Sequence, residues 1–219
     1  MSTLLFKSAS AAGVVGVSGL GGYGAYKAFS HKTTIKEAIL SSKDKDDTYS
    51  FLSPDSSSWE KVKEEYEKTT STDKPTKDGV AIPKGELPQW CASTVDSPFE
   101  GKESAKYRSI TRWCYLSTNS FEKQAESKNR KLITAASGKP TPAQEWKDAW
   151  SKKYKAKKDD SSWKIDDTDV SDLNKDDEAK AATALKNWCD KKKAIFMYSE
   201  GARNEFKKFL EFCTDDKGG

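Results

Sequence analysis

Four cysteines are the residues of this chain best placed to do chemistry, and they fall into two copies of one pattern. In the first, Trp90-Cys91 is followed by Phe99 and then Trp113-Cys114; in the second, Trp188-Cys189 is followed by Phe196 and then Phe212-Cys213. The cysteine spacings, 23 and 24 residues, differ by one. Such thiols can close disulfides, hold a soft metal or attack an electrophile, and each option needs different neighbours. Zinc favours a C-x2-C spacing or added histidines, but that spacing is missing and the sole histidine, His31, lies far upstream. A nucleophilic thiol or hydroxyl needs an adjacent base, and one distant histidine supplies none. Carboxylates are plentiful but sit in lysine-rich, solvated runs where no pair stands out as acid and base. The single G-x-G-x-x-G match, Gly19-Leu20-Gly21-Gly22-Tyr23-Gly24, has no alternation of strands and helices downstream and no acidic residue before Glu37, so it is not read as a dinucleotide fingerprint. The chain is therefore read as a non-enzyme, with no catalytic, cofactor-binding or metal-ligating residues.

What must position the cysteines is helical periodicity. Ser57-Ser58-Trp59-Glu60 has the form of a capping box, followed by an apolar stripe at Trp59, Val62 and Tyr66. Residues 69–84, with Pro75, Gly79 and Pro83, read as a loop; Leu87, Trp90 and Cys91 resume the stripe. Ser97-Pro98-Phe99-Glu100 reads as the next cap, ahead of Tyr107, Ile110, Trp113 and Cys114. A charged helix is expected over 121–133. Thr141-Pro142-Ala143-Gln144 has the form of another capping box, with Trp146, Trp150 and Tyr154 behind it at four-residue spacing. After a polar linker over 159–177 come stripes at Leu185, Trp188, Cys189, Ile195 and Phe196, and at Ala202, Phe206, Phe209, Leu210 and Cys213. Strand-like alternation is absent, so the expected class is all-α, with two small helical-bundle repeats. Each cysteine ends a stripe facing its own core. That favours Cys91–Cys114 and Cys189–Cys213 among the three connectivities, each worth about 3 kcal/mol by chain entropy. Four buried free thiols acting as small hydrophobes are the alternative.

With a mean hydropathy of −0.85 and a third of its residues charged, the chain has few aliphatics, so aromatic side chains must supply most of its buried area. Lysine and arginine number 38 against 34 acidic residues, mixed in alternating runs, and no nucleic-acid partner is expected. The strongest basic run, residues 152–158, is read as a solvated helix end.

From Ser8 to Tyr26 no residue is charged; as a helix those 19 residues would span about 28 Å, near the thickness of a bilayer core. Residues 1–30 are expected to form a transmembrane anchor or a cleaved signal helix. A stalk is expected over 31–50, helical unit one over 51–136 and helical unit two over 137–219, the boundary falling at Ser137-Gly138-Lys139-Pro140.

The Gly/Ala-rich hydrophobic start, the early Trp59/Tyr66 pair, Leu185-Lys186-Asn187-Trp188-Cys189 and the closing Phe212-Cys213-Thr214 together resemble the large paralogous surface-protein families of haemotropic mycoplasmas. The resemblance spans nearly the whole chain and brings no catalytic residue. It implies a single-pass cell-membrane protein with its bulk outside, partnered by the membrane at its N-terminus and by a host-cell or immune factor. Positive-inside bias alone would not export the C-terminus, since only Lys7 precedes the segment while Lys27, His31 and Lys32 follow it. The leading expectation is a surface interaction or antigenic protein. The second is a surface module with an aromatic cleft for a host-derived small molecule.

Overall fold

The computed structural model describes residues 33–42, 46–134 and 142–216. Its first helix, α1 (Ile35–Leu40), is short and held at its start by a reciprocal cap. The Thr34 hydroxyl accepts from the Glu37 amide at 3.1 Å, while the Glu37 carboxylate accepts from the Thr34 amide at 2.8 Å. Ile35 and Ile39 are buried in the first core, and the Ile35 and Phe99 amides bond to the Ser97 and Thr33 carbonyls. Ile35 and Ile39, within the stretch read as a stalk, are thus core residues.

Around them pack α2 (Trp59–Lys68), α3 (Leu87–Thr94) and α4 (Ala105–Trp113), which bury Trp59, Val62, Tyr66, Leu87, Cys91, Ile110 and Trp113. The stripes lie where their spacing put them. The caps do not: Ser58 makes no side-chain cap bond at α2, and α4 begins at Ser104, whose hydroxyl accepts from the Tyr107 amide.

The second core is built from α5 (Phe121–Ser127), α6 (Gln144–Asp148) running into a π-helical turn at Ala149–Tyr154, a kinked 3-10 segment at Thr168–Asn174, α7 (Glu178–Lys192) and α8 (Ala202–Cys213). The expected helix over Trp146, Trp150 and Tyr154 widens at its second half, where the Lys155 amide reaches back five residues to the Trp150 carbonyl. All three rings stay buried. The linker over 159–177 contributes too, through Ile165, Val170 and Leu173.

The all-α expectation is corrected: helix makes up 51 % and strand 10 %, the strands forming three two-stranded sheets. In the first, β1 (Ser50–Phe51) pairs antiparallel with β4 (Tyr115–Leu116). In the second, β2 (Thr76–Lys77) and β3 (Val80–Ala81) form a hairpin across Asp78 and Gly79, both at positive φ. In the third, β5 (Arg130–Leu132) pairs with β6 (Thr214–Asp216), opposing Arg130 to Asp216 and Lys131 to Asp215. Strand β5 occupies the second half of the stretch read as one helix over 121–133. Strands of two or three residues are too short to show a period of two, so the sequence could not announce them.

One ring pair recurs in both repeats. Tyr66 meets Trp113 edge-on at 4.9 Å and 75°, and Tyr154 meets Phe212 edge-on at 5.1 Å and 82°. In each unit a tyrosine from the first helix abuts the aromatic residue just before the second cysteine. Elsewhere the units interlock. Phe121 and Ala125 of α5 belong to the second core, whereas Tyr198, and Phe196 beside it, pack into the first. The backbone zips across this seam: Phe121 and Glu122 amides bond to the Ile195 and Lys193 carbonyls, and Met197 to that of Asn119.

The expected single-pass membrane protein with an extracellular bulk is also corrected: among the described residues no helix is long and apolar enough to cross a membrane. The segment over 8–26 and the boundary over 137–140 lie outside the described residues.

Candidate functional site

The sequence pointed to the cysteines, and the structure joins them as Cys91–Cys114 and Cys189–Cys213, with Cα–Cα separations of 5.4 and 5.6 Å. All four are buried and none is free. Their chemistry is consumed in cross-linking α3 to the end of α4, and α7 to the end of α8. Among the described residues no group of histidine, cysteine or carboxylate side chains could hold a metal ion.

A different residue type marks the cleft at the seam. Only four of the chain's 38 basic residues are arginines, Arg108, Arg112, Arg130 and Arg203, and three of them line one cavity of about 390 Å³. Helix α4 supplies Arg108 and Arg112, four residues apart and so on one face. Helix α8 supplies Arg203 in its first turn. Between them stand Tyr49, Asp73, Leu116, Met197 and Tyr198.

Each guanidinium is held differently. Arg112 forms the floor, its side chain only 20 % exposed: one nitrogen donates to the Tyr198 carbonyl at 2.8 Å, the plane lies 4.0 Å from the Trp113 ring, and Nη2 is buried without a hydrogen bond, 3.8 Å from Glu65. Burial pushes this guanidinium below its ordinary pKa while Glu65 and Glu200 push back. Arginine nonetheless stays charged. Arg108 is exposed, bonding to Asp73 at 3.0 Å and to the Glu103 carbonyl. Arg203 is exposed and rests 5.6 Å over the Tyr49 ring; among the described residues no carboxylate is paired with it.

The start of α8 adds to this field. Gly201, at φ +73°, lets the chain turn into the helix with no side chain capping its first amides. The positive end of the helix dipole lies at the same cavity, whose lining takes in Ser199 and the run from Gly201 to Asn204. Over the whole lining three guanidinium groups meet one carboxylate, an excess of two positive charges. Glu65 and Glu200 stand outside the lining, engaged with each other's segment: Glu65 accepts from the Glu200 amide at 2.7 Å, and Glu200 accepts from the Thr69 hydroxyl. Glu65 also helps burial drive the Tyr198 hydroxyl up to about 12.

A second cavity of about 240 Å³ adjoins the first and shares Tyr49, Met197 and Arg203 with it. Its other walls are Asp46, Tyr115, Gln124, Lys128 and Phe206. Gln124 is fully buried and satisfied, accepting from Ser117 and Asn119 and donating to Thr48. Burial raises the Asp46 carboxyl, but bonds from Lys128 and Thr48 outweigh it and hold the pKa below its ordinary value. Tyr115 is the exception: 8 % exposed, its hydroxyl has no partner among the described residues, and burial, aided by Asp46 and Asp47, keeps it protonated.

What this arrangement can do is bind. It offers fixed cations and one idle hydroxyl, while its sole lining carboxylate at the arginines, Asp73, is already engaged. Sequence reasoning missed it, although the signal was there in the scarcity of arginine and the i, i+4 placement of Arg108 and Arg112. Comparison with protein-family models, with curated proteins and with solved structures finds no match to this chain.

Proposed function

We propose that this chain is a non-catalytic binding protein whose seam cleft captures a small anion, or an anionic group carried by a partner. One observation carries the reading: three of four arginines converge on one cavity in a chain that otherwise uses lysine. Arginine's planar fork suits bidentate recognition of phosphate and carboxylate, which lysine's point charge does not provide. Each wall helix is tied to its own cluster by a disulfide, α4 through Cys91–Cys114 and α8 through Cys189–Cys213. Titration calorimetry with inorganic phosphate at low salt tests it. Binding should weaken with added salt, and about tenfold on replacing exposed Arg108 or Arg203 by alanine. Binding indifferent to both replacements overturns the reading.

An interaction surface for a protein partner is the second reading, favoured by the β2–β3 hairpin. There Val80 is 71 % exposed, the most exposed large hydrophobic among the described residues. The resemblance to surface-protein families points the same way. Val80→Ser should then abolish capture of a host-cell or immune partner without moving the unfolding midpoint; undiminished capture removes the hairpin from consideration.

A further inference from the structure

We infer that the two adjoining cavities are one bipartite site for a phosphomonoester joined to a flat ring that bears a hydrogen-bond acceptor, the chemistry of a nucleoside monophosphate. The inference rests on the anion-binding reading above and extends it.

The charge sets the head group. An excess of two positive charges over the first cavity's lining matches a phosphomonoester, which carries about −1.5 to −2 at pH 7 and presents three acceptor oxygens. A carboxylate would leave one guanidinium unneutralised in a partly buried cleft. The positive end of the α8 dipole, at the lining residues Gly201 to Asn204, favours the same group.

The second cavity sets the body. Its walls of Tyr49, Tyr115, Met197 and Phe206 suit a flat apolar ring. Tyr115 adds a demand of its own. It is more than nine-tenths buried, lines this cavity, and has a hydroxyl with no partner among the described residues, whereas buried polar groups are generally paired. An acceptor on the ring would satisfy it.

Arg203 and Tyr49 form the partition between the cavities, lining both. Arg203 rests on the Tyr49 ring, a weak contact at an exposed site, and among the described residues no carboxylate is paired with it. An anion against Arg108 and Arg112 gives Arg203 a charge partner and draws it off the ring. The partition between the two cavities then opens. Head and body binding are thereby coupled.

Calorimetric titrations of the disulfide-bonded protein with adenosine 5′-monophosphate, inorganic phosphate and adenosine decide it. The monophosphate should bind at least about tenfold tighter than either fragment. Tyr115→Phe should cut its advantage over phosphate about tenfold, and Tyr49→Ala, which removes the partition ring, should cut it too. A monophosphate no tighter than phosphate, or an advantage that survives both substitutions, overturns the bipartite site while leaving the anion cleft standing. Failure of inorganic phosphate and the monophosphate alike to bind overturns the cleft reading and this inference together.

Discussion

At the residue scale the idle hydroxyl of Tyr115 separates function from stability. Removing a buried hydroxyl that lacks a partner deletes a desolvated group and no bond, so Tyr115→Phe should leave the unliganded protein as stable as before, or up to about 1 kcal/mol more stable. A urea midpoint that falls instead would mean the hydroxyl has a partner. Arg112 contrasts with it. Its loss strands the Tyr198 carbonyl and takes the nearby cation from Glu65, and Arg112→Ala should cost about 2–3 kcal/mol. Tyr198 brings a pH dependence. Its hydroxyl is raised to about 12 in the fold, above its ordinary 10.0, so the folded state holds the proton more tightly than the unfolded chain does. Its contribution is complete below about pH 10 and is lost as pH climbs towards 12. Tyr66, Tyr115 and Tyr154 are raised by burial in the same sense. Spectrophotometric titration should therefore show tyrosines ionising late and together with unfolding, and Tyr198→Phe should extend the stable range upward. A smooth titration centred near pH 10 without unfolding would contradict this.

At the element scale, stripes were legible in the sequence and ends were not. Trp59, Val62 and Tyr66, or Phe206, Phe209 and Cys213, can share a face only in a helix, and they do. Caps depend on one hydrogen bond whose donor and acceptor must also suit the chain's path. Ser57–Glu60 carries the right letters without forming the bonds, whereas Thr34 and Glu37 form both. The π-helical turn was invisible for a related reason: a four-residue spacing of aromatics fits a widened turn as well as an α-helix. Each disulfide then locks the end of one stripe against another. Opening the second loop by Cys213→Ala should destabilise the protein by about 3 kcal/mol, a fall in unfolding midpoint of roughly 6–12 °C for a chain of this size. Differential scanning calorimetry of the oxidised variant measures it, and a shift under 2 °C would assign the stability to aromatic packing instead.

At the scale of the whole molecule the duplication predicts two cores, and two clusters exist, but the chain trades residues between them. Phe121, counted by sequence with unit one, is fully buried in the second cluster; Tyr198, counted with unit two, is buried in the first. Periodicity identifies which face of a helix is apolar and says nothing about which neighbour will cover it, so this exchange, and the cleft it creates, could not be read from spacing. Its consequence is energetic. A side chain lodged in the other cluster must be extracted before either cluster can open alone, and the seam's backbone bonds, from Phe121 to Ile195 and from Met197 to Asn119, break in the same event. The protein should therefore unfold as one unit although it is built from two repeats. The indole N–H groups report each side separately, since Trp113 donates to the Asp73 carbonyl at 3.1 Å in the first cluster and Trp188 to Asp167 at 3.1 Å in the second. In a urea titration followed by NMR, both resonances should vanish at the same midpoint. Arg112→Ala, which cuts the bond to the Tyr198 carbonyl, should let the first cluster melt earlier. Different midpoints in the unaltered protein would mean that the repeats are independent and that the seam is only a contact. A fragment over 142–216 tests the same coupling from the other side. It keeps the second disulfide but lacks Phe121, so it should lose the sharp near-ultraviolet circular dichroism of a packed core, and a fragment over 118–216 should regain it.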